Sequence, residues 1–128
     1  LYRRADLASR VWSSRRPGER VVFVSLHFDA APSSRVRGGF VCWDRRGGFP
    51  ALAGEVARWM GACGLAGPRP LSARELGVLN PERNPVPERV LVEMATLTSS
   101  RDRREASTAA WRWRASRVLA AAIAGRRP

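Results

Sequence analysis

Two side chains in this sequence have the chemistry and the placement of an active-site pair, His27 and Glu93. His27 is the only histidine and lies near the end of the apolar run 21–30, which reads Val-Val-Phe-Val-Ser-Leu-His-Phe-Asp-Ala. Glu93 lies near the end of a second apolar run, 89–94. Open α/β sheets bind ligands beyond the carboxyl ends of their strands, where an imidazole can bind metal or act as a base. The alternative is that His27 has a purely structural role. Taken without Glu93, the position of His27 favours this structural role over a functional one.

Glu93 follows the residues Arg-Val-Leu-Val, so it ends a strand of the buried type. An unpaired carboxylate in such a place costs several kcal/mol, so we expect it to face a cation, a metal or water. If His27 and Glu93 serve one site, their side chains lie on one face of the sheet, within about 10 Å of each other.

Apolar spacing predicts the elements that position this pair. In the first run, Val22, Val24, Leu26 and Phe28 share one strand face, which we expect to be buried. Further strands are predicted at 39–43 and 89–94, with a short one at 76–79 inside an irregular, proline-rich connection, 69–88. That connection is either the rim of a site or a disordered segment.

Helices are predicted at 2–14, from Pro50 to about Cys63, and from Ser99 to about Ala124. The first helix has Leu7 and Val11 on its apolar side. At the start of the last helix, Ser99 with Asp102 resembles a capping box. The second has an apolar stripe of Leu52, Val56, Trp59, Met60 and Cys63, and the last is expected to turn Ala109, Trp113, Ala120 and Ile123 inward.

This order of elements predicts an α/β fold with an open, twisted, mostly parallel sheet flanked by helices. Residues 1–128 are expected to form a single domain, the C-terminal part of a larger catalytic domain. Three convincing strands make a thin sheet, which suggests that N-terminal strands are missing.

The composition bounds the function classes. The net charge is +12, and all 23 basic residues are arginines scattered along the chain, which makes nucleic-acid binding a minority interpretation. Cys42 and Cys63 are either free thiols or one disulfide. No apolar run has the roughly 20 residues needed for a transmembrane segment, and we expect no signal peptide within residues 1–128.

Several motifs, in order along nearly the whole chain, resemble the zinc-dependent N-acetylmuramoyl-L-alanine amidases of bacterial cell walls, third amidase type. The family's Ser-Ile-His-x-Asn-Ala strand is similar to Ser25-Leu26-His27-Phe28-Asp29-Ala30, and its Gly-aromatic strand to Gly38-Gly39-Phe40-Val41. Its later Leu-x-Val-Leu and Pro-x-Val-Leu-Val-Glu motifs are similar to 76–79 and 87–93.

The resemblance implies a peptidoglycan hydrolase that cleaves the amide bond between N-acetylmuramic acid and L-alanine with zinc-activated water. His27 matches the second zinc-ligand histidine, and Glu93 matches the catalytic glutamate, a general acid/base. The implied cofactor is zinc, the implied partner is peptidoglycan, and the implied location is periplasmic or extracellular, in the cell envelope. Nucleic acid is not an expected partner, and the sequence does not specify the oligomeric state.

The chain departs from the family pattern in ways that bear on activity. The family's first zinc histidine and its glutamate ligand match nothing here, and one histidine cannot hold a catalytic zinc with useful affinity. Asp29 replaces the family's asparagine and Thr96 an aromatic residue. The alternatives are a catalytically inactive wall-binding or regulatory relative, or a basic polyanion- or nucleic-acid-binding domain.

Overall fold

A four-stranded mixed sheet forms the centre of the structure, a computed structural model that describes residues 2–126. The strands are β1 (Val22–Asp29), β2 (Gly39–Trp43), β3 (Ala66–Ala73) and β4 (Glu88–Thr96). Their order in the sheet is β1-β4-β2-β3, with β1 parallel to β4, β2 parallel to β3, and β2 antiparallel to β4. The predicted α/β fold with a mostly parallel open sheet is confirmed.

The helices are α1 (Tyr2–Ser14), α2 (Ala51–Ala62), α3 (Ser100–Ala106) and α4 (Ala109–Ile123). Short 3-10 turns lie at Arg45–Gly47 and Gly77–Leu79. In the described part of the chain, no helix combines the length and the apolar character that crossing a membrane requires.

The main core lies on the face of the sheet that α2 and α4 cover. Val90 and Val92 of β4 are fully buried there, because alternate residues of a strand point to the same face. From α2, the predicted stripe supplies Leu52, Val56 and Met60 as buried residues.

A smaller cluster covers the opposite face, where Leu91 and Cys42 pack against Val78 and Leu79 of the second 3-10 turn. Cys63 packs instead against the α2–α4 core, so the sheet separates the two cysteines. Both are free thiols.

Strand β1 is an edge strand, and the prediction that its apolar face is buried was partly wrong. Within residues 2–126, β1 pairs only with β4, so its outer edge is open: Leu26 is 54% exposed, and Phe28 is 47% exposed although its ring stacks on Trp111 of α4. Leu7 and Val11 of α1 are also exposed, since the small Ala5 and Ala8 form the buried side of that helix.

Strand β3 was missed, because its prolines at 68 and 70 indicate a loop. A strand tolerates proline at the edge of a sheet, and β3 pairs with no strand but β2 among the described residues. The short strand predicted at 76–79 is wrong, since Gly77–Leu79 forms a 3-10 turn.

The long helix predicted from Ser99 to Ala124 is two helices. Thr108 Oγ1 accepts a hydrogen bond from the Trp111 amide at 3.2 Å and starts α4 anew. The break changes which side faces the core, so the expected inward set was wrong: Trp113 is 68% exposed, Ala109 and Ala120 are exposed, and Ile123 is half-buried. The residues of α4 that are buried are Trp111, Ala115, Val118 and Ala122.

Asp102 ties three elements together behind the sheet. Its Oδ2 accepts hydrogen bonds from the backbone N–H of Gly38 at 2.7 Å and of Thr96 at 3.0 Å. Its own N–H donates to Ser99 Oγ at 3.2 Å, which confirms the predicted helix cap. The entry to β2, the end of β4 and the start of α3 therefore share one buried carboxylate.

Candidate functional site

His27 and Glu93 lie directly opposite each other on neighbouring parallel strands. The register of β1 and β4 pairs their Cα atoms, so both side chains project from the same face, about 4.8 Å apart at the backbone. This is the face opposite the α2–α4 core, because Val90 and Val92 point the other way. The predicted convergence of the two residues is therefore confirmed, while their roles remain predictions.

The His27 ring is half-buried, and its Nε2 lies beside two polar groups. Ser25 Oγ is 3.0 Å from Nε2, and Arg4 Nη1, from α1, is 3.5 Å away. A guanidinium only donates, so Nε2 acts as an acceptor toward Arg4, and in the neutral ring the proton then lies on Nδ1. Any ligand at Nε2 would have to displace these two groups.

Glu93 carries an unsatisfied buried oxygen. Among the described residues, its Oε2 is buried and has no hydrogen-bond partner. Burial raises the pKa of the Glu93 carboxyl, and the nearby Asp29 raises it further, while His27 and Arg74 lower it. A carboxylate with a raised pKa accepts a proton more readily than an ordinary exposed glutamate, and its unpartnered oxygen is where the proton could bind.

Close backbone packing fixes Glu93 in place. A Cβ added to Gly39 of β2 would lie 2.1 Å from the Glu93 carbonyl oxygen and 2.6 Å from Met60 Cε. Only glycine therefore lets β2 approach β4 this closely, with Phe40 paired beside Glu93.

Two arginines of the site were not foreseen from the sequence. Arg4 is exposed on α1, and nothing in the sequence pattern indicates that it reaches His27; Arg74 fell in the connection predicted to be irregular. Arg74 lies just past β3 and places its guanidinium 5.0 Å from the ring centre of Phe40, a cation–π contact. Because its prolines hid β3, the sequence contained no sign that Arg74, which follows that strand, reaches the site.

These residues do not complete a metal centre. Across residues 2–126, no group of three or more His, Cys, Asp or Glu side chains is placed to hold a metal ion. A catalytic zinc needs three protein ligands, and His27 can be only one of them. Zinc binding therefore stays a prediction.

Solved structures share this fold, although no family model and no curated protein matches the sequence. The N-acetylmuramoyl-L-alanine amidase AmiC2 of Nostoc punctiforme matches 98% of this chain with a TM-score of 0.77 at 21% identity. The N-acetylmuramoyl-L-alanine amidase from Clostridium difficile 630 matches 96% with a TM-score of 0.78 at 18% identity. The catalytic domain of CwlV, an N-acetylmuramoyl-L-alanine amidase from Bacillus (Paenibacillus) polymyxa var. colistinus, matches 81% with a TM-score of 0.70 at 22% identity.

The match covers only part of these structures. The chain spans 64% of AmiC2, 62% of the Clostridium difficile amidase and 56% of the CwlV catalytic domain. The chain therefore has the fold of the N-acetylmuramoyl-L-alanine amidases, over slightly more than half of their length.

Proposed function

We propose that this chain forms part of a peptidoglycan amidase, which hydrolyses the amide bond between N-acetylmuramic acid and the L-alanine of the stem peptide. The observation that carries the proposal is the pairing of His27 and Glu93 on one sheet face, with a Glu93 oxygen buried and unpartnered. The amidase fold and the ordered motifs support it. The proposed site of action is the cell envelope, on the periplasmic or extracellular side.

Glu93 is the proposed proton carrier. It accepts a proton from the water that adds to the amide carbonyl carbon, and then donates it to the L-alanine nitrogen as the C–N bond breaks. The products are the lactyl carboxylic acid, which then loses its proton to solvent, and a free α-amine, and the Glu93 carboxylate is regenerated. The raised pKa of Glu93 favours the first transfer, because a more basic carboxylate takes the proton from water more readily.

Zinc is part of the proposal, with His27 as one ligand. When bound, zinc would polarise the amide carbonyl and acidify water. The donor set within residues 2–126 does not fit a complete zinc site, so the further ligands are proposed to lie outside these residues.

The test is hydrolysis of a purified muramoyl-peptide in the presence of zinc, with mass spectrometry of the released stem peptide. We expect the complete product of the reading frame to release a peptide with a free L-alanine amine, and the 128-residue chain alone to release little. Glu93→Gln should lower the rate at least about 100-fold. Glu82→Gln removes the same charge from an exposed residue and should not.

A complete product that leaves the amide bond intact would refute the proposal, as would equal rates for Glu93→Gln and Glu82→Gln. Zinc content provides a separate readout for His27. His27→Ala should lower the zinc retained by the complete product, whereas Glu93→Gln should retain it.

A further inference from the structure

A groove runs between α2 and α4 on the side of the molecule away from Glu93. Its volume is about 550 Å³, and Trp113, which is 68% exposed, lies at its rim. The residues that line it include Trp59, Arg114, Arg117 and Arg126, with Ala120 and Ala121 of α4. We call this surface the Arg–Trp groove.

The charged residues that line the groove are all basic. None of the residues that line it is acidic. In the described part of the chain, Arg114 and Arg117 form no ion pair, whereas the nearby Arg58 of α2 is paired with Glu55 at 2.7 Å. Arg114 and Arg117 are three residues apart on α4, so they lie on neighbouring positions of one helix face, beside Trp113.

We propose that the Arg–Trp groove binds a linear, anionic polymer of the cell wall whose sugar or polyol units are joined by phosphodiesters. Guanidinium groups bind phosphate oxygens in a planar, bidentate geometry, and Arg114 and Arg117 on one helix face offer two such contacts. The exposed indole of Trp113 gives an apolar face against which a sugar ring can pack. The choice of a wall polymer as the source of the phosphates rests on the proposed function.

The shape of the surface favours a polymer over a lipid membrane. Helices that lie on membranes present a broad apolar face to the lipid. Here Trp111, Ala115 and Val118 of α4 are buried in the core, and the exposed side keeps a single large apolar residue, Trp113.

The position of the groove also separates binding from catalysis. The α2 and α4 helices cover one sheet face, whereas His27 and Glu93 project from the other. A bound polymer would therefore hold the protein at the wall and leave the proposed catalytic face open to a stem peptide.

The test measures binding of the 128-residue chain to a purified wall polymer of phosphodiester-linked sugar units by titration calorimetry at several salt concentrations. Removing two phosphate contacts with Arg114→Gln/Arg117→Gln should weaken binding and reduce the slope of log K against log salt by about 1.4. Trp113→Ala should weaken binding and leave the slope unchanged, and Trp113→Phe should restore affinity. The matched control is Arg3→Gln/Arg10→Gln, which removes two exposed charges from α1.

Each outcome separates one interpretation from another. If Arg114→Gln/Arg117→Gln and Arg3→Gln/Arg10→Gln lose the same affinity for the polymer at equal thermal stability, binding follows net charge alone and the proposal is overturned. Binding to DNA or to anionic vesicles as tight as binding to the polymer, with the same dependence on Arg114 and Arg117, would overturn it too. Glu93→Gln should bind the polymer normally, so this result does not depend on whether the amide bond is cut.

Discussion

Asp102 provides a sharp test of how the sheet is held in place. Its Oδ2 accepts backbone N–H groups from Gly38 and Thr96, and its side chain is 8% exposed. Hydrogen bonds to charged groups contribute about 1.5–3 kcal/mol each, and truncation also leaves two buried N–H groups unsatisfied. Allowing for the coupling of two bonds that share one oxygen, we expect Asp102→Ala to lower the free energy of unfolding by about 3–5 kcal/mol.

Urea unfolding followed by far-ultraviolet circular dichroism measures this loss. Asp102→Asn keeps an oxygen acceptor without the charge, so it should lose only about 1–2 kcal/mol. Asp6→Ala removes an exposed carboxylate from α1 and should stay within about 0.5 kcal/mol of the parent protein. A loss for Asp102→Ala within about 1 kcal/mol of Asp6→Ala would refute the view that this carboxylate joins β2, β4 and α3.

Two further predictions concern titrating groups. The pKa of Glu93 is raised in the folded state, so ionisation of this carboxyl opposes folding. The destabilisation grows as the pH rises from the pKa of Glu93 in the unfolded chain toward its pKa in the folded protein. Glu93→Gln should therefore raise the thermal midpoint of the metal-free protein at pH 7, with the gain disappearing near pH 4; a lowered midpoint at pH 7 would contradict this assignment. Burial also raises the pKa of the Cys42 thiol to about 11, so only about 0.1% of it is thiolate at pH 8. Iodoacetamide should label Cys63 well before Cys42 in the folded protein, as peptide mass spectrometry would show, and equal labelling would contradict the buried position of Cys42.

The sequence predicted those elements whose local pattern and tertiary role agree. Strands β2 and β4 and helix α2 carry continuous apolar patterns, and each is buried where the pattern indicates. The convergence of His27 and Glu93 also followed from the sequence, because both lie near the carboxyl ends of strands and β1 runs parallel to β4.

The remaining features depend on neighbours that a single segment cannot specify. Strand β3 contains prolines, and only its place at the sheet edge makes it a strand. A one-residue cap, Thr108, divides the last helix and places Trp111 inward instead of Trp113. Arg4 and Arg74 reach the site from segments distant in sequence, so local spacing contains no sign of them.

The outer edge of β1 has a consequence for how the protein behaves in concentrated solution. An unpaired strand edge offers free N–H and C=O groups to any other strand, and here Leu26 and Phe28 add exposed apolar side chains beside it. The net charge of +12 keeps copies apart at low ionic strength, but the Debye length falls to about 3 Å at 1 M salt. The solubility of the isolated chain therefore depends on electrostatic repulsion between its arginine-rich surfaces. Because salt screens this repulsion, we expect high salt to promote association through the edge of β1.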